Sequence, residues 1–374
     1  MPFLPLTFIV GLLHLYIGWR LIPDLDAPWA AWLLGAVLLL STLLMPLGFL
    51  ARRLIRRRSM SEAAAWAGFV FMGLFSSLLV LTVLRDAALL LASAFAVDGF
   101  AFWTARAVPV LAGGVTLWGF VNARRRAAIV AVEVPIHGLP LALQGFTIAQ
   151  ISDIHVGPTI KGPYLQAIVD AVNGMQVDMV AVTGDLVDGS VRDLSPHVAP
   201  LGGLVSRHGT FFVTGNHEYY SGAHAWIAEL RRLGIQVLMN EHTVLQHSGA
   251  PLVVAGVADY SAHLFDPSHR SDPQAAMAGA PAHAAMHVLL AHQPRSAEAA
   301  ERAGFQLQLS GHTHGGQFFP WNLFVPLQQP FTAGLHKLKR LWVYTSRGTG
   351  YWGPPKRFGA PSEITRLTLV AAPA

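Results

Sequence analysis

A transmembrane α-helical bundle followed by an α/β domain is the fold class this sequence predicts, and three observations predict it. The chain of 374 residues is 53% hydrophobic but only 13% charged, too apolar for an ordinary soluble fold. Its apolar residues gather in long uninterrupted runs before residue 127. After that point short apolar runs alternate with helical stretches and end in Gly, Asp, Asn or His. Such strand and helix alternation argues for layered α/β structure. The expected domains are therefore 1–126, membrane helices; 127–142, a connector; and 143–374, the α/β domain.

Residues 3–22, 28–50 and 62–84 are apolar runs of the roughly 20 residues a helix needs to cross a bilayer. The first is long for a signal-peptide core and lacks a basic start, so it is expected to be retained. From Arg85 to Asn122 two counts compete. Residues 87–97 extend the third helix while 108–122 cross back, giving four spans, or they form a further span, giving five. Asp98 is then an intramembrane acid or a loop residue.

Charge favours four. Through Arg126 there are 11 Lys and Arg against 5 Asp and Glu, and afterwards 15 against 16, so the net +5 belongs to the apolar half. Basic residues mark the cytoplasmic edges of a membrane portion. Four spans place both Arg52–Arg58 and Arg124–Arg126 on that side, with the second half of the chain in the cytoplasm. The basic character is thereby a membrane signal, and no nucleic-acid partner is expected.

There are no cysteines, which excludes disulfides, thiolate metal sites and Cys nucleophiles. Of 17 histidines only His14 precedes residue 127, a concentration suited to metal binding or proton transfer. The candidate strands are 146–151, 179–183, 210–214, 253–257, 287–291 and 307–310. Their ends read Asp153-Ile154-His155, Gly184-Asp185-Leu186-Val187-Asp188, Gly215-Asn216-His217-Glu218, His292 and Gly311-His312-Thr313-His314. Ligand-binding residues collect at the carboxyl ends of strands in such sheets. Imidazole with carboxylate suits borderline divalent metals. Each motif is weak alone, since Gly-Asp and Gly-Asn are common turn pairs. Five in order are another matter. No G-x-S-x-G elbow or P-loop accompanies them, which disfavours acyl transfer and nucleotide-driven chemistry.

The ordered set resembles the calcineurin-like metallophosphoesterase superfamily, with its D-x-H, G-D-x-x-D, G-N-H-[DE], lone His and G-H-x-H, over about residues 143–370. Gly315-Gly316-Gln317 and Gly350-Tyr351-Trp352-Gly353-Pro354-Pro355 look most like its membrane-associated bacterial type with N-terminal helices. The resemblance implies a four-layer domain, a β-sandwich flanked by helices. It implies two divalent metal ions (Mn, Fe or Zn), one held by Asp153, His155, Asp185 and His314, the other by Asp185, Asn216, His292 and His312. A hydroxide bridging the two would attack phosphorus. His217 would stabilise the developing charge or protonate the leaving oxygen. Asp188 either orients His217 or caps the next helix.

Phe318, Phe319, Trp321, Phe324, Val325 and Phe331 follow within a proline-broken segment. They form either a rim for a lipid-linked phosphoester or part of the core. The expected function is thus a membrane-anchored phosphoesterase acting on a phosphodiester, phosphomonoester or pyrophosphate, its partners the bilayer and its substrate. Two alternatives stand beside it: a pyrophosphatase acting on a nucleotide-linked lipid A precursor of the UDP-diacylglucosamine type, and a non-enzymatic membrane sensor.

Overall fold

The computed structural model describes the backbone of residues 3–95 and 98–372, with side chains from Thr7 onward. By packing, the chain forms a helical unit, Met1–Arg124 with Gly353–Phe358, and a second unit, Arg125–Trp352 with Gly359–Ala374.

The helical unit holds α1 (Phe3–Leu21), α2 (Pro28–Leu54), α3 (Arg58–Ala92) and α4 (Phe100–Arg124). Among the described residues, three helices are long and apolar enough to cross a membrane: Pro28–Leu54, Arg58–Phe95 and Phe100–Arg124. The expected first span, 3–22, begins in residues whose side chains lie outside the described set. Residues 87–92 lie in α3 and 93–95 form a 3-10 turn after it; Ala96 and Val97 lie outside the described residues. Asp98 sits exposed in the turn before α4, so its place is the loop.

Two devices hold the helices together. Where α2 meets α3, a Cβ on Gly68 would stand 2.5 Å from the Leu44 carbonyl oxygen and 2.6 Å from Gly48 Cα. Only hydrogen fits at this crossing, the close approach that small residues permit between apolar helices. At one end, the buried Arg85 on α3 donates to the Arg20 carbonyl (2.8 Å), the Ala101 carbonyl (3.0 Å) and Thr104 Oγ1 (3.0 Å), and pairs with Asp24. Beside it Asp86 accepts from Tyr16 (2.6 Å) and Arg20 (2.9 Å). The end of α1, the end of α3 and the start of α4 therefore meet there. The basic residues Arg52, Arg53, Arg58 and Arg124 fall at the other ends of their helices.

Gly353–Phe358 belongs with these helices although it comes from late in the chain. Lys356, buried, donates to the Gly73 carbonyl (2.9 Å) and to Ser77. The Arg357 N–H donates to the Gly119 carbonyl at 2.9 Å. A Cβ on Gly119 would come within 2.6 Å of Lys356 Cγ. The sequence reading kept these residues in the C-terminal domain; their packing partners are α3 and α4.

The second unit is two six-stranded sheets face to face. The first, in order, is β1 (Ala128–Ile136), β12 (Glu363–Ala371), β2 (Thr147–Ile151), β3 (Met179–Val182), β4 (Thr210–Phe212) and β5 (Gln236–Val237). The second is β10 (Gly334–Leu338), β11 (Leu341–Thr345), β9 (Leu307–Ser310), β8 (Met286–Leu290), β7 (Ala250–Gly256) and β6 (Glu241–His247). Helices α5 (Gly162–Asn173), α6 (Val191–Val198), α7 (Asn216–Ser221) and α8 (Ala223–Arg232) connect strands of the first sheet; α9 (Pro273–Met277) and α10 (Ala297–Arg302) connect those of the second.

Val134, Phe146, Ile148, Met179 and Phe211 from the first sheet pack against Leu252, Val254, Val288 and Leu307 from the second. Burying each of these is worth about 1.5–3 kcal/mol, and together they fix how the two sheets face each other. The mixed α/β sandwich matches the fold expected. The candidate strands divide as expected too, three to each sheet. Residues 127–142 correct the reading, because 128–136 form β1, paired in parallel with β12. Their run of Val and Ile suits a strand, but burial alternates only in part and the partner is more than 200 residues away, so the pairing was not legible locally.

Candidate metal centre

The ends of β2 and β3 in one sheet and of β8 and β9 in the other deliver Asp153, His155, Asp185, His292, His312 and His314 to one cluster, and Asn216 follows β4 between Gly215 and His217, which both meet Asp185. All seven are buried or nearly so. His155 Nε2 stands 3.1 Å from His314 Nε2, and His314 Nε2 lies 3.4 Å from Asp153 Oδ1. His292 Nε2 lies 3.1 Å from Asp185 Oδ2 and 3.2 Å from His312 Nδ1. Asp185 Oδ2 is also 4.0 Å from His155 Nε2, so its carboxylate faces both imidazole pairs. Asp153, His155 and His314 offer three donor atoms within 4.8 Å of one another, as do Asp185, His292 and His312. Imidazoles sharing a cation at the usual 2.0–2.1 Å bond length stand about 3 Å apart.

The loops tolerate no extra atoms here. A Cβ on Gly311 would fall 2.2 Å from Asp153 Oδ2, and one on Gly215 would fall 2.2 Å from Asp185 Oδ1. Asp153, His155, Asp185, His312 and His314 all have φ between 50° and 71°, the left-handed region that non-glycine residues rarely occupy. Holding such residues there costs of order 1–3 kcal/mol each and points to a functional constraint. Backbone contacts help impose it: the His312 N–H donates to Asp153 Oδ1 at 2.9 Å and the His217 N–H to Asp185 Oδ1 at 2.8 Å.

Further residues aim these groups. His292 Nδ1 donates to the Thr183 carbonyl at 2.7 Å, which turns Nε2 inward. Glu218, fully buried, accepts from the N–H groups of Gly215 (2.6 Å), Leu186 (2.8 Å) and Asp185 (3.0 Å), tying the β3 and β4 loops together. Burial and the Asp185 charge push its carboxyl up to about 8, against the pull of those donors. Asp188 Oδ1 meets His217 Nδ1 at 2.6 Å and His155 Nδ1 at 3.2 Å. The N-cap of α6 is Ser190, which disposes of helix capping as the role of Asp188.

Charges follow the geometry. Burial alone would raise Asp185, but the surrounding imidazoles hold it well below the ordinary carboxylate range. Burial raises Asp153. Burial would lower His217, yet Asp185 and Asp188 outweigh it and lift its imidazole to about 9. His292 is likewise held above its ordinary value by Asp185 and Asp153, whereas burial beside His292 brings His312 down to about 3.

The sequence reading missed the groups that border His217. The Trp352 and Tyr220 rings lie 5.6 and 5.1 Å from it. Trp352 exchanges two hydrogen bonds of 2.9 Å with the Gln317 side chain. Gly350 lies so close to the β2 loop that a Cβ would stand 2.1 Å from the Ile154 carbonyl oxygen. The signal was present in the Gly350-Tyr351-Trp352 run, but its partner is a loop nearly 200 residues earlier.

Residues 146–316 match the calcineurin-like phosphoesterase family. An uncharacterized metallophosphoesterase of Aquifex aeolicus is 30% identical over 224 residues, which cover 59% of this chain and 84% of that one. The chain belongs to the calcineurin-like phosphoesterase family. A cattle transmembrane protein with metallophosphoesterase domain is 43% identical over 68% of this chain and 60% of its own length. A Helicobacter pylori uncharacterized metallophosphoesterase is 38% identical over 67% of this chain and 66% of its own. The chain thus spans less than two thirds of several relatives. With transmembrane relatives and three helices of membrane-crossing length, it is of the membrane-associated type.

Members of the family bind divalent metals, and the residues here suit that chemistry. Asn216 Oδ1 is buried with no hydrogen-bond partner. A carbonyl oxygen left so costs about 1–3 kcal/mol, which a cation would recover. Glycines clear the space beside both carboxylates, and the donors are oxygen and imidazole nitrogen.

Proposed function

We propose that the chain is a membrane-anchored dinuclear phosphoesterase in which Asp153, His155, Asp185 and His314 hold one divalent cation and Asp185, Asn216, His292 and His312 the other. The reading rests on the two sets of carboxylate and imidazole donors, Asp153, His155 and His314 and Asp185, His292 and His312, each gathered within 4.8 Å; the buried, unpartnered Asn216 Oδ1 supports it as a further donor. When bound, such a pair supplies Lewis acidity toward phosphoryl oxygens and a water acidic enough to attack at neutral pH.

The chain's own groups do the rest. Asp188 holds His217 through Nδ1, leaving Nε2 to carry the proton toward the phosphoryl group. A cation there stabilises the charge that develops, then protonates the leaving oxygen. Asp188 also fixes the ring of His155. Trp352 and Tyr220 flank His217 and limit water on that side.

An amphiphilic, lipid-linked phosphoester is the substrate class we favour. Phe319, Trp321, Leu323, Phe324 and Leu327 are exposed in the segment that follows His314, while Phe318 is buried and Phe331 packs on the core. The positive-inside distribution of arginines favours a cytoplasmic site; reporter fusions after Arg126 test that.

Hydrolysis of bis-p-nitrophenyl phosphate by the purified chain with manganese tests the central reading, with Asp185→Asn as the control. No metal-dependent turnover over a panel of phosphoesters would leave a membrane sensor as the better account. For the substrate class, Trp321→Ser/Phe324→Ser should depress turnover of a lipid phosphodiester more than that of a soluble one. Equal losses would refute lipid selectivity.

A further inference from the structure

A second group of metal-binding side chains lies outside this cluster. His224 stands at the start of α8, while Asp266 and His269 belong to the loop that follows β7. His224 Nε2 is 2.9 Å from Asp266 Oδ2, and His269 Nε2 is 3.9 Å from the same oxygen. The three donor atoms lie within 4.8 Å of one another.

His269 and Asp266 each have their other polar atom occupied, which is how metal-binding side chains are commonly aimed. His269 Nδ1 meets the Tyr219 hydroxyl at 2.9 Å, so its Nε2 faces Asp266. Asp266 Oδ1 accepts from the Ser268 N–H (2.9 Å) and hydroxyl (2.6 Å), leaving Oδ2 to the two imidazoles. The 3.9 Å separation of His269 Nε2 from Oδ2 is too long for a hydrogen bond, and a cation between them would draw the two ligands closer.

We propose that His224, Asp266 and His269 form a third cation site, of the His, His, carboxylate type that zinc favours, clamping the 261–269 loop to the start of α8. Two imidazoles and one carboxylate leave a fourth position for water. The clamped loop also carries Phe265, whose ring lies 5.5 Å from Tyr220, which in turn lies 5.1 Å from His217. Zinc here would fix the aromatic wall beside the phosphoesterase cluster while touching none of its residues.

The test is zinc content by mass spectrometry of the full chain in detergent, after loading with zinc chloride and passage over a weak chelator. Wild type should retain one more equivalent per chain than His224→Ala, a substitution at an exposed position. Asp266→Asn should lose the same equivalent. Loading with cobalt should give the visible absorption of a four-coordinate ion in the difference between wild type and His224→Ala. That difference of one is read independently of how many cations the Asp153 to His314 cluster holds, so failure of the dinuclear reading would leave it intact. Equal zinc content in wild type and both variants, or a featureless cobalt difference spectrum, would overturn the proposal.

Discussion

Arg85 and Lys356 in the helical unit and the strand-end cluster in the sandwich unit are all buried polar groups, but their surroundings treat them in opposite ways. In the helices, Arg85 is surrounded by two backbone carbonyls, a hydroxyl and Asp24, and Lys356 by a carbonyl and a hydroxyl. In the sandwich, imidazoles face one another at 3.1 and 3.2 Å, an amide oxygen lacks a partner, and five side-chain bearers hold left-handed backbone. Satisfied polar groups tie elements together, whereas a crowded and strained set is one that folding alone does not favour. The contrast separates residues that hold this protein together from residues that act.

Substitutions can break that contrast. The largest effect is expected at Asp185→Asn, which should cut metal-dependent turnover by about 10³-fold while thermal unfolding in detergent changes little. A fall in stability matching the fall in activity would erase the distinction. His217→Ala should lower kcat by about 10²-fold with the metal content per chain, read by mass spectrometry, unchanged; loss of metal would make it a ligand instead. Arg85→Met should behave in the opposite sense. The Arg20 and Ala101 carbonyls lose their donor at a cost of about 1–3 kcal/mol, seen as a lower unfolding temperature, and turnover by the folded fraction stays near wild type.

Two matched glycine substitutions sharpen the comparison further. Gly68→Ala drives a Cβ into the Leu44 carbonyl and should destabilise the helices by about 1–3 kcal/mol. Gly311→Ala drives one into Ser152 and Asp153, and should weaken metal retention about tenfold. Gly311 keeps an ordinary φ, so the backbone itself accepts alanine. Chelator competition and thermal melts on both variants read the two effects separately. The smallest change is expected at Lys356→Met, about 1 kcal/mol, because Ser77 can turn its hydroxyl to the carbonyl one helical turn back.

Much of the candidate cluster was legible because its residues sit at strand ends flagged by glycine, a local signature that needs no partner to be seen. Glu218 was visible only as part of a motif, and its three backbone donors come from loops that the chain text does not bring together. Trp352 and Gly350 were harder still, since their neighbours, His217 and Ile154, are more than 130 residues away. The same is true of the His224, Asp266 and His269 group, in which the first residue is separated from the other two by three strands, β5 to β7.

By itself the sequence determined the division into apolar helices and an α/β domain, the six central strands and the polar residues at their ends. Those follow from periodicity and from the chemistry of short segments, which act through neighbouring residues. Tertiary structure alone decided that 128–136 pair with the last strand, that Gly353–Phe358 packs with the helices, and that Asp188 serves two histidines instead of a helix end. Each of these depends on which distant surfaces meet, and that is set by burial of the whole apolar interior and not by any local preference.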